Sequence, residues 1–403
     1  MAITTEREPV TPDGHENGNG NGATRVNGNG HTATTEAAAP PVKTVVYREP
    51  ITARGDVKWW TAAVTIAALA ALLVSIIAVA RHPAPKASSK AAGATAAAAA
   101  TGQTIDFAAN TPDGFQARDP NAPAPLPGTA HNITMHIEEK TLEIAPGVKQ
   151  TMWTFDGKVP GTTYRGKVGD TFNFTIVNDG AMTHSLDFHA GMVSPSVAMV
   201  PIPPGGSHTY SFVAKHAGIF MYHCGTPPVL QHIAAGMYGA VIIDPPNLPP
   251  VDHEYVFVQS DLYTGKNGAI PQMSKLLAGS YDAVVFNGYV NQYKYAPIQV
   301  EPGQRIRAWV IDDGPSASSW FHVIGTIFDT VYKEGAYLLQ PGPGNGGSQA
   351  LDLQAAQGGF VEFTPTEAGS YSFVTHKFDD AARGAVGVFQ VGTMPAGGQQ
   401  MSH

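Results

Sequence analysis

Met221-Tyr222-His223-Cys224 is the stretch on which the interpretation of this 403-residue chain depends. Cys224 is the only cysteine, so it cannot form a disulfide within the chain. His232 and Met237 follow it at Cys-x7-His and His-x4-Met spacings, and His184 lies forty residues upstream. One soft thiolate, two imidazoles and a weak thioether form the ligand set of a blue-copper centre. We therefore predict that His184, Cys224, His232 and Met237 bind one copper ion.

A second pair of histidines accompanies these ligands. If Cys224 faces the blue-copper site, its neighbour His223 faces outwards, because adjacent residues of a strand point to opposite faces. The odd spacing of His184 and His189 separates those two residues in the same way. His189 and His223 thus predict half of an outward-facing copper site, unless they only form hydrogen bonds at the surface. His376 is the best candidate for a third imidazole, since three histidines with an open position form a catalytic geometry.

Two further side chains are candidates for proton transfer. Asp187 precedes His189 by two positions and should share its face, where a carboxylate can deliver a proton or orient a ligand. His322 lies in the segment Phe321-His322-Val323-Ile324-Gly325. From its sequence context alone, His322 is either a second proton donor or a histidine of the core.

The first 128 residues differ in composition from the rest of the chain. Repeated Asn-Gly pairs make residues 1–58 a predicted disordered tail. Residues 59–80 carry no charge and would span about 33 Å as a helix, enough for the roughly 30 Å hydrocarbon core. We predict an uncleaved transmembrane anchor; a signal peptide cleaved after Ala78-Val79-Ala80 is the alternative. Residues 81–128, rich in Ala and Pro, are predicted to be a spacer.

Two regions with the pattern of β-sandwiches follow, at 129–246 and 251–394. Thr171–Val177 alternates polar and apolar residues with period two, and Gly- and Pro-rich turns separate such runs. The segment from Ala217 to Cys224 is echoed by 368–376, so the second region is a diverged copy of the first. Thr375 takes the position of Cys224, which rules out a second blue-copper site there. Residues 395–403 form a predicted C-terminal tail.

Over 129–394 the chain resembles the two-domain copper-containing nitrite reductases, close to their short, membrane-associated class within the multicopper oxidase and cupredoxin superfamily. The motifs His-x4-His, Tyr-His-Cys, the following His-x4-Met, Phe-His-Val-Ile-Gly and a late histidine occur in the family's order. The resemblance implies an all-β fold of two tandem cupredoxin-like Greek-key β-sandwiches. One departure is Lys377, which follows the late histidine where an acidic or amide residue is more usual.

The resemblance also implies roles for the residues quoted above. The blue-copper ligands would hold a type 1 copper, and His189, His223 and His376 a type 2 copper that reduces nitrite to nitric oxide by one electron. Asp187 and His322 would handle protons. The type 2 site would lie between subunits of a homotrimer, with His322 and His376 coming from the neighbour.

Three further roles follow from the same resemblance. Ile324 would shape the substrate pocket. The bond between His223 and Cys224 would carry the electron from the type 1 to the type 2 copper. An external cupredoxin or c-type cytochrome would supply that electron.

Composition and spacing bear on the rival functions. A net charge of -8 and an isoelectric point near 6 give no basic surface for nucleic acid. A laccase-type oxidase needs His-x-His pairs, and no two histidines here are two positions apart. An electron-transfer cupredoxin would have no use for the second histidine set. Such an electron-transfer protein is one alternative function, and a copper oxidase of the same build, acting on another small substrate such as oxygen, is the other. Whether residues 59–80 are an anchor or a cleaved signal peptide, they predict that the catalytic domains lie on the outer face of the cell membrane.

Overall fold

The computed structural model describes residues 102–394, and this part of the chain is mostly β-strand with a few short helices. The all-β prediction is confirmed. The predicted tail (1–58), anchor (59–80) and C-terminal tail (395–403) lie outside the described residues. Among the residues that are described, no helix has the length and apolar character needed to cross a membrane.

Eight strands build a first sandwich, and they are β1 (Ala130–Ala145), β2 (Val148–Phe155), β3 (Tyr164–Lys167), β4 (Thr171–Asn178), β5 (Asp187–Phe188), β6 (Ser207–Val213), β7 (Gly218–His223) and β8 (Tyr238–Asp244). They form two sheets, ordered β2-β1-β4-β6 and β3-β8-β7-β5. In β4 the predicted alternation is present, with Phe172, Phe174 and Ile176 fully buried and the residues between them partly exposed. One hydrophobic core lies between the two sheets.

Eleven strands build a second sandwich, and they are β9 (His253–Leu262), β10 (Ala283–Phe286), β11 (Ile298–Val300), β12 (Ile306–Asp312), β13 (Ser319–Val323), β14 (Thr330–Lys333), β15 (Ala336–Leu339), β16 (Leu351–Leu353), β17 (Gly358–Phe363), β18 (Gly369–Thr375) and β19 (Val386–Val391). Their sheets are ordered β10-β9-β12-β17-β14-β15 and β11-β19-β18-β13-β16. Short helices punctuate the chain, namely α1 (Pro195–Ala198), α2 (Val229–Ala234), a 3-10 turn (Lys266–Gly268), α3 (Met273–Leu277), α4 (Gln292–Tyr295) and α5 (Phe378–Ala381).

A separate apolar cluster joins the two sandwiches. Met221 and Ile242 of the first pack with Val258, Trp309 and other buried residues of the second. Each large side chain buried in this way contributes about 1.5–3 kcal/mol. This apolar cluster therefore covers part of the outward face of β7. It holds the segment before His223 and Cys224 in place.

Residues 102–128 differ from the predicted spacer. The N–H of Ala122 donates to the oxygen of Glu254 over 2.9 Å, and that of Leu126 donates to the oxygen of Arg165 over 2.9 Å. Ile105 is nearly buried. This stretch thus lies against both sandwiches, because its backbone finds hydrogen-bond partners there and its apolar side chains leave water. The spacer prediction is wrong over these residues.

Candidate metal centres

Three of the four predicted blue-copper ligands converge in the core of the first sandwich. The ligand atoms of His184, Cys224 and His232 lie within 4.8 Å of one another, and Nδ1 of His184 is 3.7 Å from the Cys224 sulfur. Cys224 follows directly after β7, His232 lies on α2, and His184 precedes β5. All three residues are at most 2% exposed. The fold thus gathers residues that are far apart in sequence around one point.

Met237 is held beside these residues by backbone contacts. Its N–H donates to the oxygen of His232 over 3.1 Å, and its own oxygen accepts from the N–H of Cys224 over 3.2 Å. Gly236 makes the turn possible, because its φ is +115° and a Cβ there would meet Val159 at 2.5 Å. The side chain of Met237 is completely buried in the same core.

Burial sets the protonation of this group. It lowers the pKa of His184 to about 4, with His232 adding to the effect, and it lowers the pKa of His232 as well. It raises the pKa of the Cys224 thiol. The Nε2 atoms of both histidines have no hydrogen-bond partner among the described residues. Copper binds neutral imidazoles, and it binds a thiol whose proton is released when the metal binds. These residues therefore fit the metal.

A second group of possible ligands lies on the outer face of the sheet that contains β5 and β7. Asp187 of β5 is paired directly opposite His223 of β7, and the N–H of His189 donates to the oxygen of Met221 over 3.0 Å. The Nε2 atoms of His189 and His223 are 3.1 Å apart, and Asp187 Oδ2 is 3.9 Å from the latter. Two nitrogens at about 2.0–2.1 Å from one metal, at a right angle, would be about 3 Å apart.

The tautomer of His223 is set by its neighbour. Nδ1 lies 2.9 Å from the carbonyl oxygen of Cys224, which can only accept, so Nδ1 carries the proton. This leaves a lone pair on Nε2, the atom that faces His189. Desolvation and then the nearby His223 lower the pKa of His189, while Asp187 opposes them. Both imidazoles are therefore suited to bind a metal.

His322 and His376 form a third group, on the second sandwich. Their rings are 5.3 Å apart between centroids, and the N–H of His376 donates to the oxygen of Trp320 over 2.7 Å. They share a cavity of about 490 Å³ with Trp320, Ser348, Gln349 and Ala350. Nδ1 of His322 donates to the oxygen of Gln349 over 2.5 Å, which leaves Nε2 as its acceptor. Ile324 is half-buried just beyond β13.

The described residues of one chain do not bring the predicted type 2 set together. The group around His189 and His223 includes Asp187 but not His376. His376 lies on the second sandwich after β18, and both His189 and His376 are exposed. Within the described residues of one chain, the outward group therefore consists of two imidazoles and one carboxylate.

Comparisons with known proteins agree with this geometry. Residues 136–248 match the family model described as multicopper oxidase. The chain is 38% identical over 270 residues to a copper-containing nitrite reductase of Neisseria meningitidis, covering 64% of this chain and 69% of that protein. This chain belongs to the copper-containing nitrite reductase family. The resemblance to the copper-containing nitrite reductases is confirmed.

Solved structures of family members show the same fold. A copper nitrite reductase from Nitrosomonas europaea superposes with a TM-score of 0.59 at 33% identity, covering 65% of this chain and 94% of that one. A copper-containing nitrite reductase from Thermus scotoductus gives a TM-score of 0.59 at 26% identity, covering 65% and 62%. The all-β fold of the described residues is thus cupredoxin-like.

The sequence prediction missed several residues around the buried ligands. Ser185 follows His184 directly, Thr226 lies two positions after Cys224, and the hydroxyl of Thr226 donates to that of Ser185 over 3.0 Å. Trp153 packs on the His232 ring with a centroid separation of 4.7 Å. Ser185 and Thr226 could have been noticed, because hydroxyl residues one position after a ligand histidine and two after a ligand cysteine can reach the metal centre. Trp153 comes from another sheet and leaves no such signal.

Proposed function

We propose that this protein reduces nitrite to nitric oxide at copper, with one electron and two protons taken up and one water released per nitrite. The observation that carries the proposal is the dipeptide His223-Cys224, whose two side chains enter two different ligand groups. The donor chemistry of each group suits copper. The chain also belongs to a family whose named members are copper-containing nitrite reductases. Denitrification is the process that this reaction would serve.

In this proposal the buried group is the type 1 site, with His184, Cys224, His232 and Met237 as ligands. The outward group is the type 2 site, with His189, His223 and His376 as ligands. Copper supplies reversible one-electron chemistry at the first site and a position for the nitrite anion at the second. The Cys224–His223 segment provides the shortest covalent connection between them.

The chain's own side chains handle the protons. Asp187 faces the outward group from the strand opposite His223, so its carboxyl can give a proton to an oxygen bound there. His322 is fixed by Gln349 and can present Nε2 to the same substrate. Ile324, next to His322, is proposed to limit the size of the ligand that enters.

We further propose a homotrimer in which His322 and His376 of one subunit complete the outward group of the next. Support comes from the separation of these residues within one chain and from the exposure of His189 and His376. Apolar side chains near His322 and His376 are also exposed, Trp320 to 38% and Ile327 to 69%, as expected of a surface that a partner covers.

Mixed oligomers test this arrangement. The variants His189→Ala and His376→Ala should each lack type 2 copper and activity. Co-expressed with different tags and purified through both, they should regain activity, because a site between two subunits can combine the intact histidines of each. Mixed oligomers without activity, formed from subunits that still hold type 1 copper, would favour a site within one chain.

We also propose that each sandwich is a Greek-key cupredoxin domain and that residues 59–80 anchor the protein in the cell membrane, with residues 102–394 on the outer face. The uncharged apolar run at 59–80 is the support. A cupredoxin or c-type cytochrome is the proposed electron donor. Protease added to intact cells should digest the region after the anchor; protection in intact cells would argue against this orientation.

The reaction itself is tested on the full-length, copper-loaded protein. Electron paramagnetic resonance should show two copper signals, and nitrite should shift the type 2 signal; a nitric oxide electrode should then record product. A type 1 signal alone, unaffected by nitrite, would indicate an electron-transfer protein. Two signals with oxygen consumption but no nitric oxide would indicate an oxidase of the same build.

A further inference from the structure

The chain after β18 makes a closed turn that carries His376. The N–H of Thr375 donates to the oxygen of Ala385 over 3.2 Å, and the N–H of Ala385 donates to the oxygen of Asp380 over 3.2 Å. Gly384 has a φ of +112°, a conformation that favours glycine. Two backbone hydrogen bonds thus close the loop over residues 375–385.

The buried copper-ligand group of the first sandwich lies on the same kind of turn. There the N–H of Cys224 donates to the oxygen of Met237 over 3.2 Å, and the N–H of Met237 donates to the oxygen of His232 over 3.1 Å. Gly236 has a φ of +115°. In both turns the second bond joins residues five positions apart. By this correspondence Asp380 takes the position of His232, so a completely buried carboxylate stands where the first sandwich has an imidazole ligand.

Cationic and hydroxyl groups surround this carboxylate. Lys377 Nζ donates to Asp380 Oδ2 over 2.8 Å, and the hydroxyl of Tyr281 donates to Oδ1 over 3.0 Å. Lys377 Nζ also donates to the Tyr281 hydroxyl over 2.8 Å, and Nη2 of Arg383 is 3.3 Å from Oδ1. A buried charge is tolerated when it is paired and hydrogen-bonded, and here the side chains of Lys377 and Arg383 supply the opposite charge.

These contacts reach the backbone of His376 because Lys377 is the next residue. Lys377 is tied to Asp380 twice, since its carbonyl oxygen also accepts from the N–H of Asp380 over 2.9 Å. On its other side, the N–H of His376 donates to the oxygen of Trp320 over 2.7 Å. The His376 ring packs on Phe378 with a centroid separation of 4.7 Å. The direction of the ring therefore depends on how the backbone is held at Lys377.

We propose that Asp380 is a positioning residue for the type 2 copper. By holding Lys377, it keeps the adjacent His376 ring in the orientation in which that ring binds the metal. A lysine after the late histidine then has a role, because its partner carboxylate lies three positions further on. This inference rests on the proposed function, since it requires His376 to be a type 2 ligand.

The test measures how firmly the full-length, copper-loaded protein retains type 2 copper against EDTA, with the amount read from electron paramagnetic resonance. Asp380→Asn should lose this copper at about tenfold lower EDTA, because residues that orient metal ligands usually contribute 10–100-fold to affinity. The hyperfine splitting of the remaining type 2 signal should change, and the type 1 absorption should not. Lys377→Met should act in the same way. Asp244→Asn is a matched control, because it removes a carboxylate that pairs with the buried Arg165 over 2.8 Å in the first sandwich.

A double variant tests whether the two side chains act as one unit. Asp380→Asn combined with Lys377→Met should retain type 2 copper within about twofold of either single variant. Additive losses would overturn the clamp, and unchanged retention in both single variants would overturn the proposal. If Asp380→Asn does not fold, Lys377→Met decides, since its side chain is 31% exposed.

His376→Ala distinguishes a failure of this inference from a failure of the proposed function. It should lack the type 2 signal at any EDTA concentration. If His376→Ala keeps that signal, His376 is not a ligand, and both the proposed type 2 site and the role of Asp380 are wrong. If His376→Ala loses the signal while Asp380→Asn and Lys377→Met match the unmodified protein, the type 2 site stands and only the role of Asp380 is wrong.

Discussion

His223 donates from Nδ1 to the carbonyl oxygen of Cys224, the residue that follows it, over 2.9 Å. This single bond has two effects. It fixes the ring so that Nε2 points to His189, and it ties that ring to the backbone of the residue whose sulfur lies in the other ligand group. The two groups are thus connected by one peptide unit and by one hydrogen bond, both on residues held by β7.

Loss of the His223 ring should affect one group and spare the other. We expect His223→Ala to lose type 2 copper while the visible absorption of the type 1 site persists, because the Cys224 side chain points to the opposite face. Copper per subunit should fall from two to one. His216→Ala, an exposed histidine ahead of β7, is the control and should keep both ions. Loss of the visible band in His223→Ala would show that the groups are not separable.

Removal of the thiolate should have the converse effect. Cys224→Ser replaces a soft ligand with a hard one, so the intense visible absorption of the type 1 site should disappear. The outward group keeps all its side chains, so the type 2 resonance should remain. Turnover with an external electron donor should become undetectable. Retained turnover at the original rate would mean that electrons reach the outward group by another route.

Asp187 is expected to act in proton transfer and not in metal retention. Asp187→Asn preserves shape but removes the carboxyl group, so turnover should fall by about 10²–10⁴-fold, the usual contribution of general acid catalysis. Copper content and the type 1 spectrum should not change. Asp179→Asn, at an exposed aspartate that pairs with His136 over 2.7 Å, should leave turnover unchanged. Equal turnover in both variants would remove Asp187 from the mechanism.

Arg307 joins neighbouring strands of the second sandwich through charge. It is 1% exposed and bonds to Glu254 and to Glu362, whose Oε1 accepts from Nε over 2.7 Å. Arg307→Met would leave two acidic groups short of a partner, and breaking a buried pair costs about 3–5 kcal/mol. Lys333→Met, at a pair with the exposed Asp352, should cost less than about 1 kcal/mol. Denaturant unfolding of both variants checks the difference.

Asp313 makes stability depend on pH in the direction opposite to most carboxylates. Its two oxygens have no partner among the described residues, and burial, followed by Asp312, raises its pKa well above the ordinary value. An unfolded aspartate releases its proton near pH 4. Above that pH the unfolded state holds fewer protons than the folded one, so stability decreases as pH rises towards the folded pKa.

Asp313→Asn removes this titration. At pH 8 we expect the free energy of unfolding of the variant, measured with denaturant, to exceed that of the unmodified protein by about 1–3 kcal/mol. At pH 4 the two proteins should differ little. Asp352→Asn, at a largely exposed aspartate, should show no such trend. A gain of equal size at both pH values would point to a cause other than ionisation.

The ligands themselves were predictable because they lie in short motifs. Cys224, His232 and Met237 fall within fourteen consecutive residues, and a thiolate with two imidazoles has few other uses. The opposite orientation of His223 followed from strand geometry alone. The packing of residues 102–128 could not be predicted in this way. A Pro- and Ala-rich stretch has no periodicity, and its hydrogen-bond partners, Glu254 and Arg165, are distant in sequence.

Residue types and their spacing therefore specified the donor set, the all-β fold and the face to which each ligand points, since these depend on local geometry. The fold alone specified the distances: the 3.1 Å between the His189 and His223 nitrogens, the 3.7 Å between His184 Nδ1 and the Cys224 sulfur, and the separation of His376 from the outward group. Those relationships arise where strands from different parts of the chain pack together. Burial, hydrogen bonding and desolvation at such contacts depend on all the neighbours at once, which no local pattern contains.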